Sequence, residues 1–156
     1  LAEAREVLEQ RLRKASGYYH LYLYSEVLIR QGPDAGGSAK VKATEMLQRV
    51  VALNPTFAPA RLSLARLYAE EGNRQKAVLH YRAAIASDPG DKRAYYRLAQ
   101  LLQQNGRGEE ARQLLDQVRR LNVEETTLTA EQAAVQQLRS LQQAAARDRA
   151  LHLAAR

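Results

Sequence analysis

A self-similarity at an offset of about 34 residues limits the folds open to this chain more than any other feature. Laid over itself at that offset, the stretch from Ala58 to Pro89 matches the stretch from Lys92 to Val123. Ala60 falls on Ala94, Leu64 on Leu98, Ala65 on Ala99 and Leu67 on Leu101. Further along, Tyr68 meets Leu102, Gly72 meets Gly106, Ala77 meets Ala111, Tyr81 meets Leu115 and Ala84 meets Val118. Sequence units of this length are single supersecondary elements that cannot bury an apolar face alone, so copies must stack.

Each half of the unit has a mechanical reason. Leu64, Leu67 and Tyr68 recur at three and four, which places them on one helical face, and the small Ala65 lets a neighbouring helix approach. Gly72 ends the first helix because glycine enters the left-handed region at little cost. Ala77, Val78, Tyr81, Ala84 and Ile85 form the stripe of the second helix, and Asp88-Pro89 stops it, since proline has no amide donor. A less regular copy lies upstream. Asn54-Pro55 stands in the place of Asp88-Pro89, Ala43, Leu47 and Val50 match Ala77, Tyr81 and Ala84, and a first helix from Tyr18 to Gln31 packs through Leu21, Tyr24, Ser25 and Leu28. Gly32 to Gly37 is an insertion, which a loop tolerates at small entropic cost.

These residues resemble the tetratricopeptide repeat (TPR) family, with its Leu-small pair and Tyr or Leu on helix one, its Ala-bulky-Ala pattern on helix two, and its late proline. The resemblance is carried by about three copies over Tyr18 to Val123. It implies an all-α fold, a right-handed superhelix of stacked helical hairpins. The expected divisions are an N-terminal helix over 1–16 (the end of a truncated repeat, with Ala4, Leu8, Leu12 and Ala15 on one face), a repeat over 17–57 with its inserted loop at 32–38, and repeats over 58–91 and 92–125. Val123, where a proline would stand, marks the last full unit. A separate C-terminal capping helix over 126–156 is expected to begin at Thr126, with Thr129 and Gln132 as a capping box and Ala134, Leu138, Leu141 and Ala145 as its apolar stripe.

The resemblance also implies a function: a protein- or peptide-binding scaffold whose concave face is lined by the first helices. The first-helix residues not used in packing that stand out are Tyr19, Tyr22, Glu26, Arg66, Arg93, Tyr96, Arg97 and Gln100. Tyr and Arg are the types that carry interface energy, and an arginine can grip a carboxylate with two parallel hydrogen bonds. Some family members hold a partner's terminal carboxylate in a clamp of basic and amide side chains. Arg93 and Arg97 stand at its two basic positions, but Tyr22 replaces a lysine, and Glu26 and Ser63 replace asparagines. The expected ligand is therefore an acidic or mixed-charge segment touching the Arg93–Arg97 end.

Composition removes other classes of function. Without cysteine there are no disulfides, thiolate metal sites or thiol nucleophiles. His20, His80 and His152 are far apart and lack ligand spacing, so no metal and no cofactor is expected. The glycine-rich loop lacks the lysine a phosphate loop needs, no serine elbow is present, and no carboxylate pair stands out, so the chain reads as non-enzymatic. The formal charge is +7, with arginines interleaved among acids as on a solvated helical surface. A nucleic-acid-binding repeat is the alternative that would need Arg66, Arg74, Arg82, Arg93 and Arg97 to merge into one basic stripe. A regulatory module of a larger enzyme is the other alternative. No apolar run reaches membrane-span length. The Ala, Arg, Leu and Gln bias suits a soluble bacterial chain of the cytoplasm or periplasm, with compartment and oligomeric state left open.

Overall fold

The structure, a computed structural model, describes residues 17–30 and 38–154, with side chains as far as 143, and the helical positions Glu3, Glu6, Val7 and Gln10. The expected N-terminal face of Ala4, Leu8, Leu12 and Ala15 lies outside the described residues. So does the inserted loop, apart from Ser38, which begins a helix.

Among the described residues six helices have defined bounds and follow one another: α1 (Tyr18–Arg30), α2 (Ser38–Leu53), α3 (Ala58–Glu70), α4 (Arg74–Ser87), α5 (Lys92–Gln104) and α6 (Gly108–Ala154). No strand occurs among the described residues, and the fold is an all-α helical repeat. The chain divides into two compact units, residues 1–115 and 116–156.

In the first unit α1 packs on α2 and α3 on α4, and successive hairpins meet through α2 with α3 and α4 with α5. The repeating positions form one core. Ala43, Leu47, Leu64, Ala65, Ala77 and Ala111 have no exposed surface, and Tyr24, Leu28, Tyr68, Tyr81, Leu98 and Leu102 are buried among them. Small residues recur where helices cross closely: Ser25, Ala65 and Ala99 are all buried. Ser25 satisfies its hydroxyl by donating to the Tyr22 carbonyl at 2.6 Å.

The turns repeat as closely as the core. Gly72 and Gly106 adopt φ of 77° and 75°. At the first turn the Asn73 amide donates to the Tyr68 carbonyl at 2.8 Å and the Gly72 amide to Ala69 at 3.1 Å; at the second, Arg107 donates to Leu102 at 2.9 Å and Gly106 to Gln103 at 3.1 Å. Both are Schellman ends, in which the left-handed residue lets the chain satisfy the last carbonyls. Asn73 then caps α4 by accepting from the Lys76 amide, and Asp91 caps α5 by accepting from the Arg93 amide.

The last expected boundary is corrected by the structure. No new helix starts at Thr126, because α6 runs unbroken from Gly108 to Ala154. Thr129 does not cap: its hydroxyl donates to the Glu125 carbonyl at 2.7 Å, as Thr126 donates to Asn122 at 2.8 Å, the back-bonding of a continuous helix. The cause lies at one residue. Pro89 ends the preceding second helix, whereas Val123 supplies the amide that proline lacks. In the second unit, the distal part of α6, the expected packing residues Leu138 and Leu141 are 60% exposed.

Candidate functional site

The first helices of the three hairpins bring their polar residues to one groove in the first unit. One stretch, of about 290 Å³, is lined by Tyr22, Glu26 and Arg30 from α1, Ser63 and Arg66 from α3, and Arg93 and Arg97 from α5. The next stretch, of about 470 Å³, is lined by Arg66, Glu70, Arg97, Gln100 and Gln104. Arg66, Arg97 and Tyr81 line both, so the groove is continuous through these three residues.

Helical spacing explains the assembly. Arg93, Arg97, Gln100 and Gln104 recur at four, three and four and occupy one stripe of α5. Tyr96 stands roughly 100° around the helix from Arg97. It is 51% exposed and lines neither stretch of the groove. Tyr19 lies one turn nearer the start of α1, outside both stretches, where it is exposed and meets Tyr22 and Phe57. Of the eight residues picked from the sequence, six therefore line the groove: Tyr22, Glu26, Arg66, Arg93, Arg97 and Gln100.

Tyr22 also packs. Its ring meets Phe57 edge-on at 5.1 Å, and Tyr18 meets the same ring at 5.3 Å. Burial raises the Tyr22 phenol above its usual pKa, and Glu26 adds to the effect. Burial raises Tyr81 as well, although Arg97 and Arg66 oppose it. Both hydroxyls therefore stay protonated at neutral pH and can donate.

The spacing of Tyr81 predicts a core residue, and its side chain is buried there. The available signal was its identity: the equivalent positions carry Leu47 and Leu115, and only tyrosine has a hydroxyl to reach past the packing layer.

The charges divide the groove. Glu26 accepts a 2.5 Å hydrogen bond from the Ser63 hydroxyl, joining α1 to α3. Arg93 forks onto Asp91 with two contacts of 2.9 Å. That bond is the main reason the Asp91 carboxyl lies below its usual pKa. Arg93 is thus held by the residue that caps its own helix, although its side chain is 76% exposed. Arg66 and Arg97 form no hydrogen bond or ion pair among the described residues, and the Nε of Arg66 is buried without an acceptor. The groove can therefore accept a carboxylate most readily at Arg66 and Arg97, with the Tyr81 hydroxyl as a third donor.

Comparison with known proteins agrees with this architecture. The tetratricopeptide repeat profile matches residues 68–145, and a second tetratricopeptide repeat profile matches residues 42–92. Cellulose synthase operon protein C of Pseudomonas fluorescens (strain SBW25) is 30% identical over 122 aligned residues, the match covering 75% of this chain and 10% of that protein. The chain thus spans about a tenth of that relative's length. Among solved structures, one of MamA superposes with a TM-score of 0.72 at 23% identity, covering 81% of this chain and 71% of its own. MamA residues 41-end from Desulfovibrio magneticus RS-1 superposes with a TM-score of 0.68 at 19% identity, covering 79% and 67%. Identities this low show the shared fold alone. With one profile spanning half of the sequence and the repeated turns in place, the chain belongs to the tetratricopeptide repeat family.

Proposed function

We propose that this chain is a protein-interaction scaffold whose α1–α3–α5 groove binds an acidic or mixed-charge peptide segment of a partner. The observation that carries the reading is the pair Arg66 and Arg97, which line both stretches of one groove beside Tyr81 and make no hydrogen bond or ion pair among the described residues. A carboxylate seated there receives charge-assisted hydrogen bonds that the chain itself leaves unmade. Glu26 sets the limit on ligand charge. A segment with acids along its whole length meets repulsion at the Glu26–Ser63 end, whereas one with a donor or a cation there is accepted. The raised Tyr22 and Tyr81 pKa values keep both phenols as donors, which suits a ligand rich in acceptors.

The test is fluorescence anisotropy with three labelled 12-residue peptides on one Gly/Ala/Leu background, carrying Glu only, Glu with Lys, or Lys only. The mixed and acidic peptides should bind, with the mixed one tighter. Arg66→Ala/Arg97→Ala should weaken both by about tenfold or more, since it removes two charge-assisted contacts. Circular dichroism should report an unchanged fold. Preference for the Lys peptide, or affinity unaffected by the double substitution, would remove the groove from this role.

A further inference from the structure

A second cleft lies apart from the groove, between the first half of α4 and the turn joining α5 to α6. It is an open cleft of about 440 Å³ whose apolar part is Val78 and Leu79, lined also by Gln75 and Asn105 and by the three arginines Arg74, Arg82 and Arg107. Leu79 is 61% exposed, an apolar residue of a repeat's second helix with no cover. Glu110 bridges Arg82 at 3.1 Å and Arg107 at 2.6 Å, while Arg74 makes no side-chain hydrogen bond or ion pair among the described residues. The one carboxylate leaves three guanidiniums net positive beside the apolar part. The five arginines that a nucleic-acid stripe would have needed are thereby split, with Arg66, Arg93 and Arg97 in the groove and Arg74 and Arg82 here.

The distal part of α6 has the opposite character. Glu124, Leu128, Glu131, Val135 and Leu138 follow at spacings of four, three, four and three, so they share one helical face. All five are exposed. The carboxylates of Glu124 and Glu131 make no ion pair among the described residues. An apolar side chain with a glutamate one turn before it and another one turn after it is complementary to an apolar cleft lined by arginines.

We propose that the α6 stripe of one copy of this chain docks in the α4–α5 cleft of a second copy. Leu128 seats on Val78 and Leu79, and Glu124 and Glu131 face the arginines. This is helix-in-groove recognition, with the apolar anchor giving affinity and the flanking charges giving register. Because stripe and cleft are different surfaces, the contact is heterologous and adds copies head to tail. It is independent of the peptide groove and of the reading given to it.

The test is sedimentation velocity of this chain from roughly 1 to 300 μM. The weight-average mass should rise with concentration. Arg74→Glu and Glu131→Arg should each hold the chain monomeric over the whole range. Neither should unfold it: Arg74 is exposed at the start of α4, where a carboxylate suits the helix dipole, and Glu131 is exposed. Mixing the two variants should restore association, since each then offers its partner an opposite charge at both contacts. Ala133→Arg, on the opposite side of α6 from the stripe, should leave the native behaviour unchanged. A monomer at every concentration overturns the proposal. So does association that survives Arg74→Glu, the signature of α6 pairing with α6, or a mixture of the two variants that stays monomeric.

Discussion

The ends of two second helices, equivalent in the repeat, behave differently. At Asp88-Pro89 the chain leaves α4, turns and caps the next helix with Asp91. At Asn122-Val123 it does nothing of the kind, and α6 continues to Ala154. The flanking patterns are close: Ala77, Tyr81 and Ala84 on one side, Ala111, Leu115 and Val118 on the other. A repeat unit therefore specifies its packing face and its punctuation separately. The face can be kept while the stop is lost, and the same kind of helix then runs on with its apolar residues uncovered.

Moving the stop should have the largest effect. Val123→Pro should cost about 3 kcal/mol locally, because it deletes one helical hydrogen bond and its ring collides with the carbonyl one turn back. Amide exchange around residues 119–123 should accelerate and the far-ultraviolet helical signal should fall. An unchanged exchange pattern would mean that α6 already breaks there in solution, and the contrast with Pro89 would disappear.

Next come the closely packed positions. Ala65→Leu and Ala99→Leu should each destabilise by about 1–3 kcal/mol in a urea melt, because both sites are buried and leave little room to relieve the added bulk. A melt unmoved by both would show that the repeat register is misplaced. The turns should follow. Gly72→Ala and Gly106→Ala should cost about 1–2 kcal/mol each through positive φ alone, since no atom lies within 4 Å of the added methyl at either site. Gly108→Ala, with equal space and no positive φ, is the internal control and should be neutral or stabilising.

The smallest expected effect is a pH dependence in the regular hairpin. His80 stacks on Tyr68 at 5.4 Å, and burial lowers its pKa, with Arg61 and Lys76 acting in the same direction. A histidine whose pKa is depressed by folding binds fewer protons than the unfolded chain does. Its contribution is therefore present above the unfolded pKa, near 6.5, and is lost as pH falls from there toward the folded value. The melting temperature should drop between pH 7 and 5, and His80→Gln should flatten that slope. An identical slope in the variant would assign the dependence to other groups.

Much of this architecture is written in residue type and spacing. Leu64, Ala65, Tyr68 and their counterparts one unit on define the core because burial follows helical period, and Gly72 and Gly106 define turns because few other residues tolerate their backbone. Six of the eight candidates that the same period gives on the first helices line the groove. What spacing could not give is where a long side chain goes once the helix is placed. Arg93 forks onto Asp91 rather than standing alone, and Tyr81 serves core and groove together. Tyr96 is set aside by a single step around α5. The continuation of α6 depended on weighing one absent proline against thirty residues of helix-forming sequence, a balance that pattern matching does not strike.

The bond between Glu26 and Ser63 ties the first helices of two successive hairpins across the wall of the groove. A guest that took the Oε1 contact from Ser63 would loosen a strut between two repeats, whereas one that donated to the second carboxylate oxygen would leave that strut in place. If the groove binds as proposed, a ligand of the first kind would alter the spacing of the walls as it binds, and one of the second kind would not.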